Sequence, residues 1–374
     1  MYFLRFVFIC LLLGGLLSAC APRVAVPGRG MHHAVLLHIE DGDHYSLVQV
    51  QDPWHEGEVL RSYVLAERGA GAQLPDSVAQ LHPVRLEVPL RHAAVLSSVH
   101  AALLYELGAG ARVGGLADAD FVVSDTLRRD LSRGRLRNLG SSMQPDCEQL
   151  VAMQADAVLV SPYEGAAFGS GTLPRDIPIV LCADYMETSP LGRAEWMRFY
   201  GRLVGCGARA DSLFAAVESA YTALKQRAEA VGERPTLFCD YMQGASWPLP
   251  GGDSYLAGLF ADAGADYLFA DRPGAGSIFL SFEEVLASAS QADIWLMKYG
   301  REQDPDRASL LREQPYYNRF KAWRSGRLYA CNTVRVPYYE EVPFHPERLL
   351  RELISLCHPG LLPACELRYY HPMP

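Results

Sequence analysis

The residues of this 374-residue chain that could do chemistry cluster just after short apolar runs. Ser98 and His100 follow "AAVL", Phe121 follows "VGGLADAD", Ser142 and Met143 follow "RLRNLG", Tyr163 follows "AVLVSP", and Tyr185 follows "PIVLCAD". In the second half Tyr241 and Gln243 follow "TLFCD", Trp247 lies in "GASWPLPGG", Tyr299 closes "IWLMKY", and Tyr338 and Tyr339 sit in "RVPYYEE". Aromatic faces with a few hydroxyl and amide groups suit a large, partly apolar ligand that is held without reacting. The plainer alternatives are that His100 is an exposed or capping residue at a helix start and that the tyrosines pack in the core. Trp247, between a strand and a Gly-Gly turn, is expected to form a cleft wall.

Other chemistries are missing from the pattern. No HExxH, GxSxG or P-loop motif occurs, and the glycine-rich "GAGARVGG" ends a helix instead of following a strand. The nine cysteines include no CxxC pair, so zinc spacing is absent; Cys357 and Cys365 are the pair best spaced for a bridge, and most of the others read as small buried hydrophobes. Five of the eleven histidines fall between His32 and His55 without metal-ligand spacing, which fits a solvated hairpin face better than a carrier of free zinc or manganese. No cofactor is expected. With 34 basic against 43 acidic residues and a net charge of -9, nucleic acid is excluded as a partner.

The elements that must position these side chains can be read outward from them. Residues 1–19 carry Arg5 and then an apolar run too short for a comfortable membrane span, which marks an export signal. Leu17-Ser18-Ala19-Cys20 resembles a bacterial lipobox, so Cys20 is the expected lipidation site and residues 20–30 a tether. Residues 31–88 alternate apolar and polar around Asp41-Gly42-Asp43, predicting a β-hairpin extension with a further strand. Residues 89–189 and 233–374 each alternate strands with helices, predicting two similar Rossmann-like α/β lobes with mostly parallel sheets. Between them, residues 190–232 keep a four-three apolar spacing through Phe214, Val217, Tyr221 and Leu224, predicting bridging helices, broken at Gly205 and Gly207, of which the second is long enough to join both lobes. One helix–strand unit is written twice, "CEQLVAMQADAVLV" and "FEEVLASASQADIWLM", one copy per lobe.

Together with the lipobox, "RHAAVLSSVHAALLYELG", "QPDCEQLVAMQADAVLVSP", "IPIVLCADYMETSPLGRAEWMRFYGRLVG", "WPLPGGDSYLAGLFADAGADYLF" and "SFEEVLASASQADIWLM" resemble the substrate-binding proteins of bacterial importers for iron complexes, haem and cobalamin. The resemblance spans about residues 90–365 and implies two lobes bridged by one long helix. It implies a monomeric, lipid-anchored, extracytoplasmic protein that hands a metal-chelate or tetrapyrrole ligand to an ABC permease and its ATPase subunits. The family's two permease-docking carboxylates fall on Glu148 in "DCEQL" and Glu283 in "SFEEVL", with Glu284 the rival for the second role. Where several members have a tyrosine after the second strand this chain has Phe121, which can stack on a macrocycle and cannot ligate iron. Ser141-Ser142-Met143 stands in place of the tryptophan of cobalamin binders.

Overall fold

The computed structural model describes residues 28, 30–71, 73–165, 173–364 and 366–374. The expected export signal, Cys20 and Cys365 lie outside the described residues. Cys357 is buried as a free thiol.

The N-terminal extension is a four-stranded sheet in the order β1-β2-β3-β4, formed by β1 (Leu37–Gly42), β2 (Tyr45–Gln51), β3 (Val59–Glu67) and β4 (Val84–Val88). The expected hairpin is β1–β2; β3 pairs antiparallel with β2 and parallel with β4. Alternation along these strands sends Leu37, Ile39, Val48, Val50, Tyr63 and Leu86 into the main core, while Leu47, Val64 and Ala66 meet Val78 of the short helix α1 (Asp76–Ala79). At the start of the described residues Gly28 N–H donates to Ala34 O at 2.6 Å.

Lobe 1 holds β5 (Ala93–Val95), β6 (Val113–Leu116), β7 (Arg137–Asn138), the small hairpin β8 (Gly140–Ser141) and β9 (Gln144–Pro145), β10 (Ala157–Val160) and β11 (Ile179–Leu181). Its main sheet runs β11-β10-β5-β6-β7, parallel throughout. Helices α2 (Ser98–Glu106), α3 (Asp125–Ser132) and α4 (Cys147–Ala152) start on the side chains of Ser97, Ser124 and Asp146, each accepting a backbone N–H of the first turn. Strand β11 is an edge. Its exposed backbone is closed by Tyr63, whose hydroxyl accepts from Leu181 N at 2.8 Å and donates to Ile179 O at 3.2 Å.

Helices α5 (Pro190–Glu195), α6 (Met197–Leu203) and α7 (Gly207–Glu229) bridge the lobes. A break falls at Gly205, whose φ of +70° suits glycine, and α6 can approach α7 closely because a Cβ on Gly201 would lie 2.4 Å from that of Ala210. Helix α7 has 23 residues, about 34 Å at 1.5 Å per residue. Its buried stripe Ala210, Phe214, Val217, Tyr221, Leu224, Ala228 keeps the four-three spacing of one helix face and packs on α6 and on lobe 2.

Lobe 2 comprises β12 (Thr236–Cys239), β13 (Trp247–Pro250), β14 (Asp266–Tyr267), β15 (Ser277–Leu280), β16 (Ile294–Tyr299), β17 (Leu328–Asn332) and β18 (His371–Pro372). Around them pack α8 (Tyr255–Asp262), α9 (Phe282–Ala289), α10 (Arg307–Glu313), α11 (Lys321–Ser325), α12 (Tyr338–Glu341) and α13 (Pro346–Cys357). The sheet order is β14-β12-β16-β17-β18, parallel except for the last pair. The written-twice unit is α4–β10 in lobe 1 and α9–β16 in lobe 2, and each copy lays its strand beside the first strand of its own sheet.

The N-terminal sheet is held to the bridge by two buried carboxylates. Glu195 accepts from the N–H groups of His32, His33 and Ala34, and Glu187 from those of Val35 and Leu36 and from Trp196 Nε1. Removing Glu195 leaves three amides of one segment without acceptors, at a cost of about 2–4 kcal/mol. Glu195→Ala is therefore expected to lower the unfolding free energy measured in urea by that much, shifting the midpoint down, and to open residues 30–36 to proteolysis. An unchanged midpoint would contradict this docking.

Candidate ligand-binding site

In a parallel α/β sheet the crevice for a ligand opens where neighbouring strands send their connections to opposite sides, at the strands' C-terminal ends. In lobe 1 that place lies between β5 and β10, and a cavity of ≈ 460 Å³ occupies it. Ser97 and Ser98 come from the end of β5, Asp118 and Phe121 from beyond β6, Ser142 and Met143 from the β8–β9 hairpin, and Ser161 and Tyr163 from the end of β10. Asp118 sits in the left-handed region at φ +52°, and its Oδ1 accepts from Ser142 N at 3.0 Å, which fixes the hairpin carrying Met143. Phe121, Met143 and Tyr163 each stand more than half exposed.

In lobe 2 the reversal lies between β12 and β16, and a second cavity of ≈ 780 Å³ opens there. Asp240, Tyr241, Met242 and Gln243 follow β12; Lys298, Tyr299 and Arg301 come from the end of β16; Thr333 and Tyr339 follow β17. The antiparallel ribbon β13–β15 leans in with Phe279, more than half exposed. Arg301 lies 5.5 Å from the Tyr241 ring centre and is gripped by both oxygens of Glu313, at 2.5 and 2.8 Å.

Sequence position thus brings Ser98, Phe121, Ser142, Met143 and Tyr163 to one cavity and Tyr241, Gln243, Tyr299 and Tyr339 to the other. Tyr299 is nearly buried and reaches the wall by an edge, its hydroxyl donating to Asp304 at 3.0 Å. Four expected ligand contacts are placed elsewhere. His100 is buried under α2, neither exposed nor capping, with Nε2 2.8 Å from Asp184 Oδ1. Asp184 also accepts from Arg193 and Tyr200; burial would raise its carboxyl, but these partners outweigh burial and hold it at about 2. Trp247 is fully buried because "WPLP" is strand β13, and its Nε1 donates to Cys239 O at 2.9 Å within a cluster of Phe238, Trp295, Phe282 and Phe320. Tyr338 is buried beneath Lys298, since α12 turns it inward and its neighbour Tyr339 outward. Tyr185 donates to Pro162 O at 2.5 Å and so supports the loop that carries Tyr163 without lining the cavity.

Sequence reasoning missed Asp240, Arg301, Glu313 and Phe279. Asp240 hides inside "TLFCDY", and Phe279 and Glu313 lie well beyond the ends of β14 and β16, the strands that precede them. The alternation Ser277-Ile278-Phe279-Leu280 after Gly274 and Gly276 is the signal that could have found the ribbon.

The lobes meet beside both cavities. Glu340, buried on α12 next to Tyr339, accepts from Val123 N at 2.8 Å and Ser124 N at 2.7 Å, two and three residues past Phe121. Behind it, His345 of lobe 2 lies 2.8 Å from Glu106 of lobe 1 and 3.0 Å from Glu347.

A profile of the family described as periplasmic binding protein matches residues 94–334, well over half of the chain. An uncharacterized lipoprotein of Methanocaldococcus jannaschii is 24% identical over 288 residues, 73% of this chain and 66% of the relative, so the chain spans just under two thirds of that protein. Among solved structures, a periplasmic haem-binding protein from Pseudomonas aeruginosa aligns with TM-score 0.57 at 16% identity, covering 76% of this chain and 98% of its own. An ABC-type Fe3+-hydroxamate transport protein from Saccharomonospora viridis aligns with TM-score 0.53 at 18% identity, covering 72% and 93%. At these identities the structural likeness establishes the fold.

The junction carries its own pH signature. Burial alone would lower His345, but its bonds to Glu106 and Glu347 raise it to about 9. A folded-state value above the unfolded value of about 6.5 means the contribution is complete below pH 6.5 and is lost as pH rises through 9. Because Glu106 is partly exposed and solvent screens the pair, about 1–2 kcal/mol is expected. Melting scans from pH 6 to 10 should therefore show the gap between wild type and His345→Gln close as pH rises. A gap independent of pH would mean the imidazole is neutral.

Proposed function

Because the chain belongs to the periplasmic binding protein family, we propose that it is the extracytoplasmic solute-binding component of an ABC importer. It captures a ferric-siderophore or haem-like iron complex between the two cavities and delivers it to the permease, without catalysing a reaction. One observation carries this reading: of the nine large apolar side chains that stand exposed among the described residues, five line the two cavities, namely Phe121, Met143, Tyr163, Phe279 and Tyr339. Exposed aromatic faces gathered at two strand-end crevices, tied together by Glu340, fit a ligand with flat or apolar flanks. A corrinoid is the second reading, favoured by Phe121, because a phenyl wall suits a complex whose metal is already fully coordinated.

Anchoring is assigned to a lipid on Cys20; among the described residues no helix is long and apolar enough to cross a membrane. Glu148 and Glu283 are assigned to permease docking. Both are exposed in the first turns of α4 and α9, the two copies of the repeated unit. The rival Glu284 is engaged at home, closing a capping box with Ser281.

The absorption spectrum of protein purified from its native host tests the ligand class: a Soret band marks haem, a corrin spectrum cobalamin, a broad visible charge-transfer band a ferric siderophore. A colourless protein that binds none of the three in calorimetry would remove the reading. Phe121→Ala should weaken the bound chelate about tenfold, the scale of one aromatic contact. Glu148→Lys with Glu283→Lys should abolish uptake and leave ligand affinity unchanged; the loss of an acidic first-turn residue costs each helix only about 0.3–1 kcal/mol. If affinity falls instead, these residues line the cleft.

A further inference from the structure

The two walls differ in chemistry. Lobe 1 offers Leu96, Phe121, Met143 and Tyr163 with serine hydroxyls between them, whereas lobe 2 gathers Asp240, Lys298, Arg301 and Glu313. Among the described residues lining the two cavities, the cations are Lys298 and Arg301. Arg301 pairs bidentately with Glu313, which offsets its charge and uses two of its five N–H donors.

Lys298 is placed differently. It leaves β16 at the point where the strand order of lobe 2 reverses, and Asp240 leaves β12 beside it. Nζ lies 3.2 Å from Asp240 Oδ1 and 3.4 Å from Oδ2, so both contacts of the ammonium are with one carboxylate on one side. An ammonium has three N–H donors, and a single carboxylate does not use them all. The Tyr338 ring backs the nitrogen at 5.7 Å. Asp240 is locked in the left-handed region at φ +60°, with its N–H donating to Leu296 O and its C=O accepting from Trp295 Nε1 at 2.8 Å. A non-glycine residue held there by surrounding structure marks a place where position matters more than local ease. The carboxylate therefore holds a largely buried ammonium at the cavity wall and keeps it charged there.

We propose that Lys298 anchors an anionic group on the edge of the ligand, a carboxylate or a phosphodiester, so that the cargo is an amphipathic chelate with its apolar flank toward Phe121, Met143 and Tyr163. This rests on the chelate-binding reading above and narrows it: a chelate without an anionic edge leaves the spare donors of Lys298 desolvated and unmatched when it binds, which disfavours it. Asp240 is a positioning residue for Lys298.

The test uses the mature wild-type protein and the charge-neutral pair Lys298→Met/Asp240→Asn, which avoids leaving a buried carboxylate alone. Both are titrated in a calorimeter with haem, haem dimethyl ester, cyanocobalamin, dicyanocobinamide and ferrioxamine B. Wild type is expected to prefer the anionic member of one pair, haem over its ester or cobalamin over cobinamide, by at least tenfold; which pair responds tells carboxylate from phosphodiester. The double variant should melt within a few degrees of wild type and lose that preference, and Lys298→Arg should retain it. Equal wild-type affinity for both members, a preference that survives in the double variant, or tightest binding of ferrioxamine B overturns the proposal while leaving chelate binding intact. A wild type that binds none of the five overturns the chelate reading itself.

Discussion

A carboxylate that accepts consecutive backbone N–H groups from a distant segment is the interaction on which the arrangement of this molecule depends. Glu187 and Glu195 catch residues 32–36, Asp156 catches Arg91 and His92, Glu352 catches residues 368–370, and Glu340 catches Val123 and Ser124 across the lobe junction. Each pairing satisfies amides that have no strand or helix partner where they lie. Sheets and helices here have their own local reasons to form. What these carboxylates add is relative position, since an acceptor with two oxygens can meet two adjacent amides only in a narrow range of orientations.

That dependence explains what could and could not be read from the sequence. The parallel lobes follow from short apolar runs punctuated by glycine and helix-capping residues, and the repeated "QADAVLV" and "QADIWLM" fall on β10 and β16, each beside the first strand of its sheet. Such signals are local, so a sequence carries them openly. The N-terminal sheet shows the other case: Glu195 and the amides it holds are separated by more than 160 positions, and nothing near either end announces the partner. The extension therefore reads as an appendage, although it closes the edge of lobe 1 through Tyr63 and contributes Leu37, Val48 and Leu86 to the main core.

The same distinction separates the site residues. Placing candidates just after strands picks out Phe121, Met143, Tyr163, Tyr241 and Tyr339, which line cavities, because the C-terminal ends of parallel strands face the crevice whatever the side chain. It could not decide which of two neighbours turns outward. Tyr338 and Tyr339 differ only by one step around a short helix, and His100 lies two residues beyond Ser98, yet helix geometry buries one of each pair. Trp247 failed for another reason: prolines on both sides of Leu249 argue against a central strand, but a two-stranded ribbon leaves one side of each strand unpaired and tolerates them.

These constraints also bear on how such a cleft would work. Glu340 ties the lobes next to Tyr339 on one wall and Phe121 on the other, while the buried stripe of α7 packs on the bridge and on lobe 2. Joined at the floor and along the back, the lobes have little freedom for a wide hinge motion, because a large rotation would strip Glu340 of both amides and leave a carboxylate without partners. Affinity must then come from walls that already stand in position. Exposed aromatic side chains on rigid strand ends and a lysine aimed by a locked aspartate are walls of that kind, since little further ordering is required when the ligand arrives.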